Sequence, residues 1–230
     1  VGEFPLSSGD PELQLLGEGD GAIAADGDVV EVDIVLQNNV IGLPTNRYDA
    51  NHFRYDIQPD GSLASGHYLF AAEPDAGITG GSTLTLVSGG VPHPFTGGEI
   101  PTQEDLGREV VARQTQLAGL NVTRKVFVPA GGYFGRYLEI LTNPSADAAV
   151  TVDLEVGSAF SQNTRQIITT SSGDDLLQVT GVDTPDGWVV LDDQYLGDPF
   201  VGTPYNRAPT VFVWGPSGVD SAVYTPYAYP

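Results

Sequence analysis

The chain of 230 residues carries 30 acidic and 9 basic side chains, a formal charge of −21, and neither cysteine nor methionine. That charge repels phosphate backbones and anionic lipid, so nucleic acid is not an expected partner, and no apolar run approaches the roughly 18 residues that span a bilayer. The absence of Cys removes disulfides, thiolate zinc sites, iron–sulfur clusters and thiol nucleophiles together.

Without an initiator Met, Val1 is expected to follow a removed leader or to open a fragment. High acidity with a single lysine, Lys125, fits a salt-adapted or calcium-rich exterior, and equally the codon bias of a GC-rich genome. A secreted or cell-surface location is the expectation.

In chain order, residues 1–27 read as an extended N-terminal segment with an apolar bias at Leu13 and Leu15. Residues 28–36, DVVEVDIVL, place Val30, Val32, Ile34 and Leu36 on one face and Glu31 and Asp33 on the other, the pattern of a half-buried antiparallel strand. Further strands are expected at 53–57, 66–71 and 82–88. The Gly- and Pro-rich stretch 89–102 reads as the long connection where the body, 28–218, would split if it is two sandwiches in series.

Beyond it, strands are expected at 107–117, 120–128, 133–142, 149–156, 165–171, 175–180, 187–191 and 209–214. Turn chemistry separates them, as in Asn143-Pro144-Ser145, Gly173-Asp174-Asp175 and Pro185-Asp186-Gly187. Within 133–142, Phe134, Arg136, Leu138 and Ile140 share one face and Tyr137, Glu139 and Leu141 the other. Within 149–156, Val150, Val152, Leu154 and Val156 are expected inside, and Thr151, Asp153 and Glu155 outside. Residues 119–156 read as a three-stranded meander. No segment has a helical repeat, so the fold class is all-β, an antiparallel β-sandwich, either one large or two in series.

The run VTRKVFVP…YFGRYLEILTNPSADAAVTVDLEV resembles β-sandwich modules of large, poorly characterised bacterial secreted or surface proteins. In those chains an R-Y-L-E-I-x-x-N-P strand and turn precedes a V-T-V-x-L strand. The likeness covers about 40 residues, 119–156. It implies an extracellular β module and supplies no active-site residue.

The chemistry-bearing residues are few. The histidines are His52, His67 and His93, with no His-Glu-x-x-His or Gly-x-Ser-x-Gly motif. Two of them with Asp49 or Asp56 would make a facial metal site, and satisfied histidines are the plainer reading. Calcium is the one cofactor considered. Asp20, Asp26 and Asp28, with Glu18, form one acidic Gly-rich cluster, and Asp174 and Asp175, with Asp183 and Asp186, form another. Asp-Gly turns also occur without metal. Trp188 and Trp214 are candidates for a sugar-stacking platform, or for core-edge packing. Asn121-Val122-Thr123 is a sequon within a strand, and Lys125 is either a solvated lysine or the nucleophile of an isopeptide bond to Asn or Asp.

The tail 219–230, VDSAVYTPYAYP, is nearly uncharged, and Tyr224, Tyr227 and Tyr229, like Leu13 and Leu15, suit addition to a neighbour's sheet edge. The expected function is therefore a non-enzymatic extracellular structural or adhesive domain, partnered by copies of itself or by neighbouring surface domains. The alternative is a carbohydrate-binding or carbohydrate-active sandwich.

A charge of −21 on a folded body destabilises it by self-repulsion, which salt screens. The melting temperature is expected to rise between dilute buffer and molar NaCl. A calorimetric scan that is flat across that range, and indifferent to calcium or chelator, would contradict the expectation.

Overall fold

The structure is a computed structural model that describes residues 39–64, 72–73, 78–159, 166–192, 209–215 and 219–224. The expected strands at 28–36 and 66–71 lie outside the described residues. In chain order the strands are β1 (Thr45–Tyr48), β2 (Arg54–Ile57), β3 (Ala72–Glu73), β4 (Ile78–Thr79), β5 (Thr83–Ser88), β6 (Val91–Pro94), β7 (Thr102–Glu104), β8 (Glu109–Leu117), β9 (Leu120–Phe127), β10 (Arg136–Thr142), β11 (Asp153–Gly157), β12 (Gln166–Thr170), β13 (Trp188–Asp192) and β14 (Thr210–Val213). The protein is all-β. Among the described residues, only a 3-10 turn at Asp105–Gly107 interrupts the strands and loops.

Two compact units divide the chain, and the division does not fall at 89–102. One comprises the residues up to Leu63 with Ser82–Val156, and the other comprises Ala64–Gly81 with those from Gly157 onward. The stretch expected to be a linker instead closes a hairpin. Gly89 and Gly90, with φ of 58° and 79°, make the two-residue turn that joins β5 to β6, pairing Ser88 with Val91 and Leu86 with His93. Positive φ at both turn positions matches the right-handed twist of the flanking strands, and glycine adopts it without steric cost.

In the first unit, β10-β9-β8-β7 form a four-stranded sheet, β11-β5-β6 a three-stranded sheet, and β1-β2 a hairpin. The meander is β8-β9-β10. The expected partner of β10, the 149–156 segment, pairs instead with β5 in the other sheet. The two sheets share a core in which Leu84, Leu86 and Phe95 meet Ala112, Leu117, Leu120 and Val122, with Leu141, Val150 and Val152 packed at its margin. Val150 and Val152 thus lie on the expected face. Leu154 and Val156 do not: they are 42% and 54% exposed on β11, an edge strand of the three-stranded sheet. Thr151, Asp153 and Glu155 are exposed as expected.

On β9 the inward positions are Leu120, Val122, Arg124 and Val126. Arg124 is fully buried. Its Nε lies 3.0 Å from Oε1 of Glu139, the residue directly opposite on β10, a contact that is ionic in distance without hydrogen-bond alignment. The guanidinium stacks 4.7 Å from the centre of the Tyr137 ring. It donates to the carbonyl oxygens of Asp60, at 3.3 Å, and Ser82. Gly61, at φ 72°, lies so close that a Cβ there would stand 2.9 Å from Arg124 Cδ. Burial pushes the Tyr137 phenol well above its usual range and raises the Glu139 carboxyl, which Arg124 pulls back down.

Removing one partner of a buried ion pair strands the other charge. Glu139→Ala is therefore expected to destabilise the first unit by about 3–5 kcal/mol, read as a shift in the urea midpoint. The double variant Arg124→Met with Glu139→Leu should recover most of that loss. Recovery no better than the single variant would show that the pair itself supplies the stability.

Candidate functional site

The outer face of the four-stranded sheet carries most of the organised surface charge. Lys125 hydrogen-bonds Glu104 and lies 3.5 Å from Glu109. Arg113 is 3.7 Å from Glu104, and Arg136 is 3.2 Å from Glu109 while covering the Phe127 ring at 4.9 Å. Three cations thus share two carboxylates, a locally positive patch on a strongly acidic chain. The Glu104 hydrogen bond, outweighing burial, raises the Lys125 pKa. A protonated ammonium between two glutamates is not a nucleophile, and it is half-buried rather than solvated.

Beside this patch β10 forms the edge of the sheet. Its outward residues are Arg136, Leu138, Ile140 and Thr142, with Leu138 47% and Ile140 38% exposed, and exposed Tyr133 and Phe134 precede them. The inward set is Tyr137, Glu139 and Leu141, so the half of the strand with two polar residues faces the core and the aliphatic half faces water. Arg124 explains the inversion, since it requires Glu139 on its own side. Three other edge strands of this unit are guarded. Pro92 and Pro94 sit on β6, exposed Asp153 and Glu155 on β11, and Val40 bridges Thr102 on β7.

The second unit is organised by the turn between β12 and β13. The expected strand 175–180 is absent among the described residues, and residues 171–187 form a chain of turns. Asp186 is almost fully buried. Its carboxylate accepts the N–H of Gln178 at 2.8 Å and of Ser172 at 3.0 Å, and the Ser171 hydroxyl at 3.2 Å. Burial raises its pKa, and the backbone and hydroxyl donors outweigh that, holding it down at about 2. Asp174 similarly accepts the Leu176 N–H at 3.0 Å and the hydroxyls of Thr170 and Ser172.

Asp174 and Asp186 are thus engaged as turn-closing acceptors, while Asp175 and Asp183 are exposed. No group of three His, Asp or Glu side chains suited to a metal converges among the described residues. Asp20, Asp26 and Asp28 lie outside them, as does His67. Asp49 closes the loop before β2 by accepting the N–H groups of Asn51 at 2.8 Å and Phe53 at 3.0 Å. Burial, with Asp49 adding to it, pushes the Tyr55 phenol up to about 12. Asp56 pairs with Arg54 at 2.8 Å, His52 is exposed, and His93 is half-buried on β6.

Trp188 opens β13 and Trp214 follows β14, both half-buried. The Trp214 indole N–H donates to the Asp186 backbone oxygen at 2.8 Å, which fixes the ring as a clamp on the turn. Of the assembly residues, Tyr224 is half-buried, and Leu13, Leu15, Tyr227 and Tyr229 lie outside the described residues. Arg124 escaped sequence reasoning, which placed Asp186 in a turn and an acidic cluster without its role as a buried acceptor. Arg124 had a signal, because it occupies the apolar register of Leu120, Val122 and Val126. Asp186 had none, being one Asp-Gly pair among several in the chain. No protein-family model, no curated protein and no solved structure matches the chain.

Because the folded pKa of Asp186 is depressed, its contribution is present above the unfolded value, near 3.9, and is lost as pH falls through about 2. Both tryptophans belong to the second unit, so their fluorescence reports on it alone. An acid transition in tryptophan emission is expected between about pH 4 and 2. Asp186→Ala should destabilise that unit by roughly 2–4 kcal/mol at neutral pH, by orphaning its donors. Emission unchanged in both experiments would refute the hub role.

Proposed function

We propose that the chain is a non-enzymatic structural or adhesive β-domain of the cell exterior, one that self-assembles through a terminal strand. The observation that carries the reading is β10, an edge strand that presents Leu138 and Ile140 to water without a proline or an outward acid. Soluble proteins guard such edges, and this protein guards β6 and β11, the two edges of its three-stranded sheet β11-β5-β6. The buried charges serve the fold itself, Arg124 in one unit and Asp186 in the other. The acidity of the chain and the resemblance of 119–156 to surface modules support the exterior location. The terminal segments that bear Leu13 and Leu15, and Tyr224, Tyr227 and Tyr229, add nearly uncharged apolar surface suited to such assembly. Exposed acids such as Asp175 would take up calcium as a screening counter-ion rather than in a closed site.

Static light scattering and negative-stain electron microscopy test this from dilute buffer to molar NaCl. Linear assemblies that appear as salt screens the −21 charge are expected. A monodisperse monomer at high protein concentration across the whole range would overturn the proposal.

A further inference from the structure

The edge of β10 and the path of the chain into the first unit together select a donor. We infer that β10 accepts residues 28–36 of a neighbouring copy as an added strand, an inference that rests on the self-assembly reading and names its two surfaces.

Composition narrows the donor first. A strand that adds to an edge needs its N–H groups, and proline has none. The tail 219–230 contains Pro226 and Pro230, and residues 1–16 contain Pro5 and Pro11. Residues 28–36 contain neither proline nor glycine and alternate throughout. Their two faces also match the two faces of β10. With Val30, Val32, Ile34 and Leu36 continuing the inner face beside Tyr137 and Leu141, the opposite row holds Val29, Glu31, Asp33 and Val35. Set antiparallel with Val29 opposite Leu138 or Ile140, that row places Glu31 or Asp33 opposite Arg136, so one aliphatic pair and one ion pair form. Arg136, on β10 itself, is the cation within reach of that carboxylate.

Reach then decides between the chain's own segment and a neighbour's. The described chain enters at the opposite edge of the sheet: Gln103 N–H donates to the Asn39 carbonyl at 2.8 Å, and Val40 bridges Thr102 on β7. A strand beyond β10 lies five strand spacings from Val40, about 24 Å at about 4.8 Å each. The four steps from Leu36 to Val40 span at most about 14 Å when fully extended. The chain's own 28–36 cannot lie along β10, and a neighbour's can. Donor and acceptor are different surfaces, so the contact is heterologous and propagates instead of closing a dimer.

The absence of native cysteine makes the test clean. Chains carrying Val29→Cys are mixed with chains carrying Leu138→Cys or Ile140→Cys, assembled in molar NaCl and oxidised. Mixed disulfide dimers are expected at several times the level given by Leu154→Cys, an exposed control on the β11 edge. Leu138→Lys should leave the circular dichroism unchanged and raise the concentration needed for assembly about tenfold or more. Assembly that persists in Leu138→Lys, or without mixed dimers above the control, overturns this pairing and leaves self-assembly standing. A chain carrying both Val29→Cys and Leu138→Cys that closes on itself at high dilution overturns the between-copy pairing. Absence of any assembly of the unmodified chain overturns both.

Discussion

A guanidinium with no access to water constrains everything within its reach, and Arg124 is in that position. Its charge is met by Glu139 across the strand pair, by the Tyr137 ring and by the carbonyls of Asp60 and Ser82. Those groups come from β10, the loop after β2 and the residue before β5, so the side chain ties β9 to three other stretches of the first unit. The desolvation cost of such a pair offsets most of its attraction, which makes its main effect specificity rather than net stability. A one-residue slip of β10 would put Leu138 or Ile140 beside the guanidinium and turn Glu139 outward. The ion pair therefore selects the register, and in doing so it turns the aliphatic half of β10 to solvent.

The second unit solves the converse problem with a buried anion. Asp186 is surrounded by N–H and O–H donors rather than by a counter-ion, and backbone donors in a tight turn can be supplied locally. The same residue fixes Trp214 through its carbonyl, which joins the turn to the strand after which that ring falls. One unit is held by a cation that reaches across sheets, the other by an anion that gathers a loop.

These two arrangements bear on surface behaviour. Among the described residues, Glu99, Asp105, Asp147, Asp153, Glu155, Asp175 and Asp183 are acids left to solvent. Of the outward basic side chains of the four-stranded sheet, Arg136 lies on β10, while Lys125 on β9 and Arg113 on β8 reach toward Glu104 on β7.

The all-β class and most strand positions follow from local sequence, because period-two alternation and Gly, Pro and Asn-Pro turns act over a few residues. The ranges 83–88, 109–117, 120–127, 136–142, 188–192 and 210–213 were legible for that reason. The Gly89-Gly90 hairpin was legible in principle, and the length of the Gly/Pro run around it hid it. Alternation defines two faces and does not say which one packs. Leu138 and Ile140 resemble core residues until Arg124 claims Glu139. Leu154 and Val156 read as buried, and they stay exposed on β11 at the edge of the sheet of β5. The hub role of Asp186 depended on donors from Ser171, Ser172 and Gln178 folding back upon it. The sequence by itself determined the strands and their turns, since these are local. Only the tertiary structure decided strand partners, the inward face of β10 and the fate of each buried charge, because those depend on groups distant in the chain competing for the same interior.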